Sequence, residues 1–153
     1  MLPTMKTILF LDVNGVLDCL RCGHGADCGH FQRLRRIVDA LECDIVLTSS
    51  VRTHRESCRR LREQFAEYRI PGWIGATPDL CGARWTEIMK WVEQHLREET
   101  RLVILDDGDD ADPRPHTTAL DHCHFFQTSL ASGLDDDIAA AVIALAPARR
   151  GYG

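Results

Sequence analysis

The chain has 153 residues, of which 44% are hydrophobic and 27% charged, a globular composition with room for one real core and little more. Its formal net charge of −5 argues against broad nucleic-acid binding, which leaves a basic footprint, but not against contact with a single phosphorylated end. No apolar run approaches the roughly 20 residues a membrane helix needs, and an odd cysteine count of 7 without an export signal argues against a disulfide framework.

The opening Met1-Leu-Pro-Thr-Met-Lys6 leads into a short apolar run that ends on an acid, Asp12, not on a small-residue cleavage site, so a cytoplasmic protein is expected. Lys6–Leu11 reads as a buried strand. A polar loop rich in Gly, Cys and His follows to about residue 30. Phe31, Leu34, Ile37, Val38 and Leu41 then recur at helical spacing. Asp44–Leu47 reads as a second strand, ending in Thr48-Ser49-Ser50. Thr53-His-Arg-Glu56 fits a capping box at the start of a second helix, with Cys58, Leu61, Phe65 and Tyr68 as its apolar stripe.

Pro71-Gly72 breaks that pattern, and residues 73–76 read as a short strand. A third helix is predicted from Arg84 to Leu96, with Trp85, Ile88, Met89, Val92 and Leu96 inward. Leu102–Leu105 is a third strong strand, ending in Asp106-Asp107. Residues 124–127 form a weak strand and 134–145 a last helix. Strands alternating with helices predict an α/β fold with a doubly wound, Rossmann-like parallel sheet. Residues 1–147 are expected to form one domain, with 148–153 as a tail. In such sheets the ligand lies beyond the carboxyl ends of the strands, where the strand order reverses. Asp12, Thr48 and Asp106 are each the first polar residue after an apolar strand, so their tips can converge on one site.

The segment Ile8-Leu-Phe-Leu-Asp12-Val-Asn14-Gly15-Val16-Leu17 resembles the nucleophile motif of the haloacid dehalogenase-like (HAD) superfamily. Ile45-Val-Leu-Thr48-Ser49-Ser-Val-Arg52 resembles its second motif, Arg84 before Glu87-Ile88 its third, and Val103-Ile-Leu-Asp106-Asp107 its acidic fourth. With Ile74-Gly-Ala-Thr-Pro-Asp-Leu80 and the late Gly133-Leu134, the whole is similar to the HAD domain of Swiss Army Knife RNA repair proteins.

That resemblance implies a phosphomonoesterase with Asp12 as nucleophile and Mg²⁺ held by Asp12, Asp106, the Asn14 backbone carbonyl and Asp107 as ligand or near neighbour. It implies that Thr48 and Arg84 contact the phosphoryl oxygens, and that Ser49 and Arg52 belong to the substrate side. Lys90 competes for the basic role but lies well off the apolar stripe of its helix. The cation is needed because carboxylate and phosphate repel by roughly 4 kcal/mol at 4 Å in an effective dielectric of about 20, and Mg²⁺ suits carboxylates, water and phosphate.

The chain departs from the family at Asn14, where HAD phosphatases usually carry the aspartate that serves as general acid and base. Two readings follow: a phosphatase without that proton donor, or a phosphate- or partner-binding domain that turns nothing over. A dehalogenase is disfavoured by the retained acidic pair and by the gaps flanking Thr48, 36 positions back to Asp12 and 36 on to Arg84, which leave no room for a full cap. An open site of this kind suits a bulky phosphorylated substrate such as a nucleotide or nucleic-acid end.

Cys19, Cys22, His24, Cys28 and His30 fall within twelve residues and are compatible with tetrahedral zinc, the alternative being a small Gly-rich loop. Arg55, Arg59 and Arg62 line one helical face, either a solvated surface paired with Glu56 and Glu63 or a track for a nucleic-acid backbone.

Overall fold

The computed structural model describes residues 5–21, 28–114 and 122–147. Cys22, His24 and the C-terminal residues 148–153 lie outside them. Five strands, β1 (Lys6–Leu11), β2 (Asp44–Leu47), β3 (Gly75–Ala76), β4 (Thr100–Asp106) and β5 (Cys123–Gln127), form one parallel sheet in the order β3-β2-β1-β4-β5. Four helices flank it: α1 (His30–Leu41), α2 (Arg55–Glu67), α3 (Arg84–His95) and α4 (Asp136–Ile143). No element among the described residues forms a cap over the sheet.

Side chains alternate across the strands, and this divides the core in two. Leu9, Leu11, Ile45, Leu47, Val103 and Leu105 face the buried stripes of α1, α2 and α4. Ile8, Phe10, Val46, Leu102 and Ile104 face α3 alone, through Trp85, Ile88 and Trp91. Phe10 meets Trp91 edge to face, with ring centroids 5.7 Å apart. Helices therefore cover both faces, three against one. β1 is buried from both sides, which is why it reads as an unbroken apolar run.

Several local expectations shift. The capping box at Thr53 does not form: Thr53 closes a 3₁₀ turn over Ser50–Thr53, its hydroxyl donates to Ser50 O, and α2 starts two residues later. The last helix is shorter than its apolar pattern. It begins when the Asp135 carboxylate accepts from the Ile138 N–H, a side-chain cap that fixes the start at Asp136.

Candidate active site

Parallel register builds the site. Leu11 pairs with Leu47 on one side and Leu105 on the other, so the next residues, Thr48, Asp12 and Asp106, emerge level at adjacent strand tips. Two backbone bonds extend the ladder one step: Asp12 N–H to Leu105 O and Thr48 N–H to Leu11 O, each 3.0 Å. The chain runs from β1 outward through β2 and β3, then returns to place β4 on the other side of β1. The reversal falls between β1 and β4, so Asp12 and Asp106 stand at the switch point.

Asp12, Asp106 and Asp107 bring carboxylate oxygens within 4.8 Å of one another. Asp12 and Asp106 are 4% and 2% exposed. Burial pushes the Asp12 carboxyl up to about 7, and the negative charge of Asp106 adds to this while Arg84 and the Val13 N–H oppose it. Burial likewise raises Asp106 to about 6, against the pull of the Gly108 N–H and Arg84. Two crowded carboxyls that resist ionising together hold a proton unless a cation replaces it. Three buried polar atoms of the site lack a hydrogen-bond partner: Thr48 Oγ1, Asp106 Oδ2 and Arg84 Nε. The last two stand 3.2 Å apart as an ion pair, without hydrogen-bond alignment. A hydroxyl, a carboxylate oxygen and a guanidinium N–H without hydrogen-bond partners suit a divalent cation beside a phosphoryl group.

The other candidates fall into place around this cluster. Arg84 opens α3, its Nη2 4.0 Å from Asp12 Oδ1. Asn14 is exposed on the turn after β1. Ser49 is buried, and its hydroxyl accepts from the Val51 N–H, capping the 3₁₀ turn. Arg52, expected on the substrate side, gives its donors to protein acceptors: Thr48 O, Thr77 O, Pro78 O and Glu87 Oε2. Four of its five donor hydrogens are thereby used, and it acts as a strut between elements. Lys90 lines a different surface cavity of about 360 Å³, with Leu80, Trp85, Thr86, Met89 and Glu93.

The Cys/His loop is tied down at both described ends. His30 Nδ1 donates to Leu134 O at 2.9 Å, leaving Nε2 to face Cys19 Sγ at 3.4 Å. Cys28 lies close to both but is disulfide-bonded, a crosslink where the sequence argued against a disulfide framework. A disulfide sulfur is not a thiolate ligand. Among the described residues this leaves Cys19 and His30, short of the four ligands of structural zinc. On α2, Arg59 pairs with Glu56 and Glu63, and Arg62 stacks over Trp73. Two of the three arginines of the candidate nucleic-acid track, Arg59 and Arg62, are thus engaged with their own neighbours.

Sequence reasoning missed Thr128, and it named Gly133 and Glu87 within the family pattern without giving either a role. Thr128, just past β5, donates to Gly15 O at 2.6 Å and fixes the turn after Asp12. Gly133, at φ 61, lies where a Cβ would press on Val16 O, Asp18 O and His30, which gives the late Gly-Leu pair its physical meaning. Glu87 is a 4% exposed carboxylate on the inner side of α3; a charge inside an otherwise apolar helix stripe was the signal for it.

The sequence family described as "HAD domain in Swiss Army Knife RNA repair proteins" matches residues 8–139. The chain belongs to this family. The HAD domain is also similar in fold to a chain in a solved structure titled "Structure of Pnkp1/Rnl/Hen1 complex", with a TM-score of 0.51 at 14% identity. That likeness covers 86% of the HAD domain chain and 48% of the other, so the present chain spans about half the length of its structural neighbour. No curated protein matches it. No helix among its described residues is long and apolar enough to cross a membrane.

Proposed function

We propose that this HAD domain is a divalent-cation-dependent phosphomonoester hydrolase, with Asp12 as nucleophile and a nucleotide or nucleic-acid phosphate end as substrate. The observation that carries the reading is the convergence of Asp12, Asp106 and Asp107 beside three buried polar atoms without partners. Asp12, Asp106 and Asp107 would hold Mg²⁺, with the Asn14 carbonyl as a further ligand by family likeness. When bound, the cation offsets the repulsion between carboxylate and phosphate. Zinc forms no part of the reading.

The chain's own residues do the rest. A carboxylate oxygen of Asp12 attacks phosphorus; a new O–P bond forms and the ester O–P bond breaks, giving an aspartyl-phosphate. Thr48 Oγ1 and the Arg84 guanidinium donate to the phosphoryl oxygens as charge develops there. The leaving alkoxide takes its proton from water, because the amide of Asn14 is far too weak an acid to give one. A second water attacks phosphorus, releasing inorganic phosphate and restoring Asp12. Substrates with good leaving groups suit such a site. The open strand tips, uncapped among the described residues, support a bulky substrate.

The exposed Asn14 favours one rival, a phosphate-binding domain without turnover. Hydrolysis of an aryl phosphate and of 3′- and 5′-phosphorylated oligonucleotides, with Mg²⁺, separates the two. Wild type is expected to turn over, Asp12→Asn to lose roughly 10⁴-fold or more, and Asn14→Asp to gain about 10²-fold or more. Activity appearing only in Asn14→Asp would favour the binder, and activity untouched in Asp12→Asn would end the nucleophile assignment.

A further inference from the structure

Glu87 has no task in the reaction just described, yet it is the most constrained carboxylate near it. Its Oε2 accepts from the Leu80 N–H at 2.8 Å and from Arg52 Nη2 at 3.2 Å. Arg52 is itself pinned by Thr48 O at 2.7 Å and Thr77 O at 2.9 Å. Glu87 is therefore fixed from the second motif and from the connection before α3, whatever Arg84 does. Its Oε1 faces Arg84 Nη1 at 3.9 Å, close enough for charge to act but too far for a hydrogen bond.

Arg84 stands between two sets of anions. On one side Nε lies 3.2 Å from Asp106 Oδ2 and Nη2 lies 4.0 Å from Asp12 Oδ1; on the other is Glu87. Neither Nε nor Oδ2 completes a hydrogen bond. A divalent cation in the acidic cluster and the Arg84 guanidinium would compete for the same oxygen, Asp106 Oδ2.

We propose that Glu87 is a positioning residue that draws the Arg84 guanidinium off Asp106, freeing Asp106 Oδ2 for the divalent cation and leaving Arg84 aligned for the phosphoryl group. This rests on the reading of the acidic cluster as a cation site. With Glu87 charged, Arg84 has a rigid alternative partner one helical turn along α3. Without that charge its remaining anionic partners are the cation's own ligands, and it holds them against the cation.

The test is Mn²⁺ binding to the full chain, followed by the electron paramagnetic resonance signal of free Mn²⁺, in wild type, Glu87→Gln, Arg84→Met and the double variant. Glu87→Gln is expected to raise the Mn²⁺ dissociation constant about fivefold or more. Arg84→Met is expected to bind more tightly than wild type, and in that background Glu87→Gln should change nothing. An equal loss from Glu87→Gln in both backgrounds would mean simple long-range charge or general damage and would overturn the proposal, as would no loss in either. Should Glu87→Gln fail to fold by circular dichroism, Arg84→Met still decides, because Mn²⁺ binding no tighter than wild type sinks the idea. Asp106→Asn separates the two levels. Unchanged Mn²⁺ affinity there removes the cation site itself, whereas lost affinity without coupling between residues 84 and 87 removes only the role of Glu87.

Discussion

Gly15 shows how closely the turn after β1 is built around the acidic cluster. Its φ of 76 lies in the left-handed region, and a Cβ there would sit on the Asp107 carboxylate. Both features demand glycine, one through backbone strain and one through space. Gly15→Ala is expected to destabilise the chain by about 1–3 kcal/mol and to weaken Mn²⁺ binding by displacing Asp107. Gly72→Ala, where a Cβ would meet nothing within 4 Å, is the control and should leave both measurements within error. If thermal melting finds the two variants equally stable, the close fit of the turn against Asp107 is not real. Thr128 belongs to the same assembly, since its hydroxyl holds the Gly15 carbonyl from just past the end of β5.

Among the elements, α3 joins the core to the candidate site. It alone covers one face of the sheet, through Trp85, Ile88 and Trp91, and its first turn delivers Arg84 and Glu87. Its N-cap residue, Ala83, has no side chain able to accept a hydrogen bond, and none is made there. Asp110 supplies one from the β4 side: its Oδ2 accepts the Arg84 N–H at 3.1 Å, and the same carboxylate lies favourably at the positive end of the helix. Asp110 is thus a helix cap reaching across 26 positions of sequence. Asp110→Ala is expected to cost about 1 kcal/mol, read as a lower urea midpoint with unchanged slope. A midpoint equal to wild type would show that the cap contributes nothing.

For the whole molecule, the buried carboxyls link stability to pH and metal. Asp12 and Asp106 rise from 3.8 to about 7 and about 6, so the folded chain binds protons more tightly than the unfolded one. The sign follows directly: between about pH 4 and 7 the folded state carries the extra protons, and stability falls as pH rises through that window. Without metal, the melting temperature is expected to be higher at pH 5 than at pH 7.5, by on the order of 5 °C. Mg²⁺ should recover stability at pH 7.5, where the ligands are ionised, and do little at pH 5. Scanning calorimetry at the two pH values with and without Mg²⁺ checks this; a metal-free chain more stable at pH 7.5 would contradict the burial of the pair.

The fold and the pairing of Asp12 with Asp106 were legible in the sequence because strand tips announce themselves. An apolar run broken by an acid gives the element and its end together, and parallel topology then places successive tips side by side. The supports were not legible. Arg52 as a strut, Asp110 as a cap for α3 and Glu87 as the acceptor for Arg52 each depend on a partner many positions away, and local patterning carries no record of that partner. The same limit explains the Thr53 cap, where a plausible local motif lost to a 3₁₀ turn. Sequence by itself determined which residues could be acidic tips and which faces had to be buried. Only the tertiary structure decided which charges meet, because Coulomb and hydrogen-bond partners are chosen by distance in space and not by spacing along the chain.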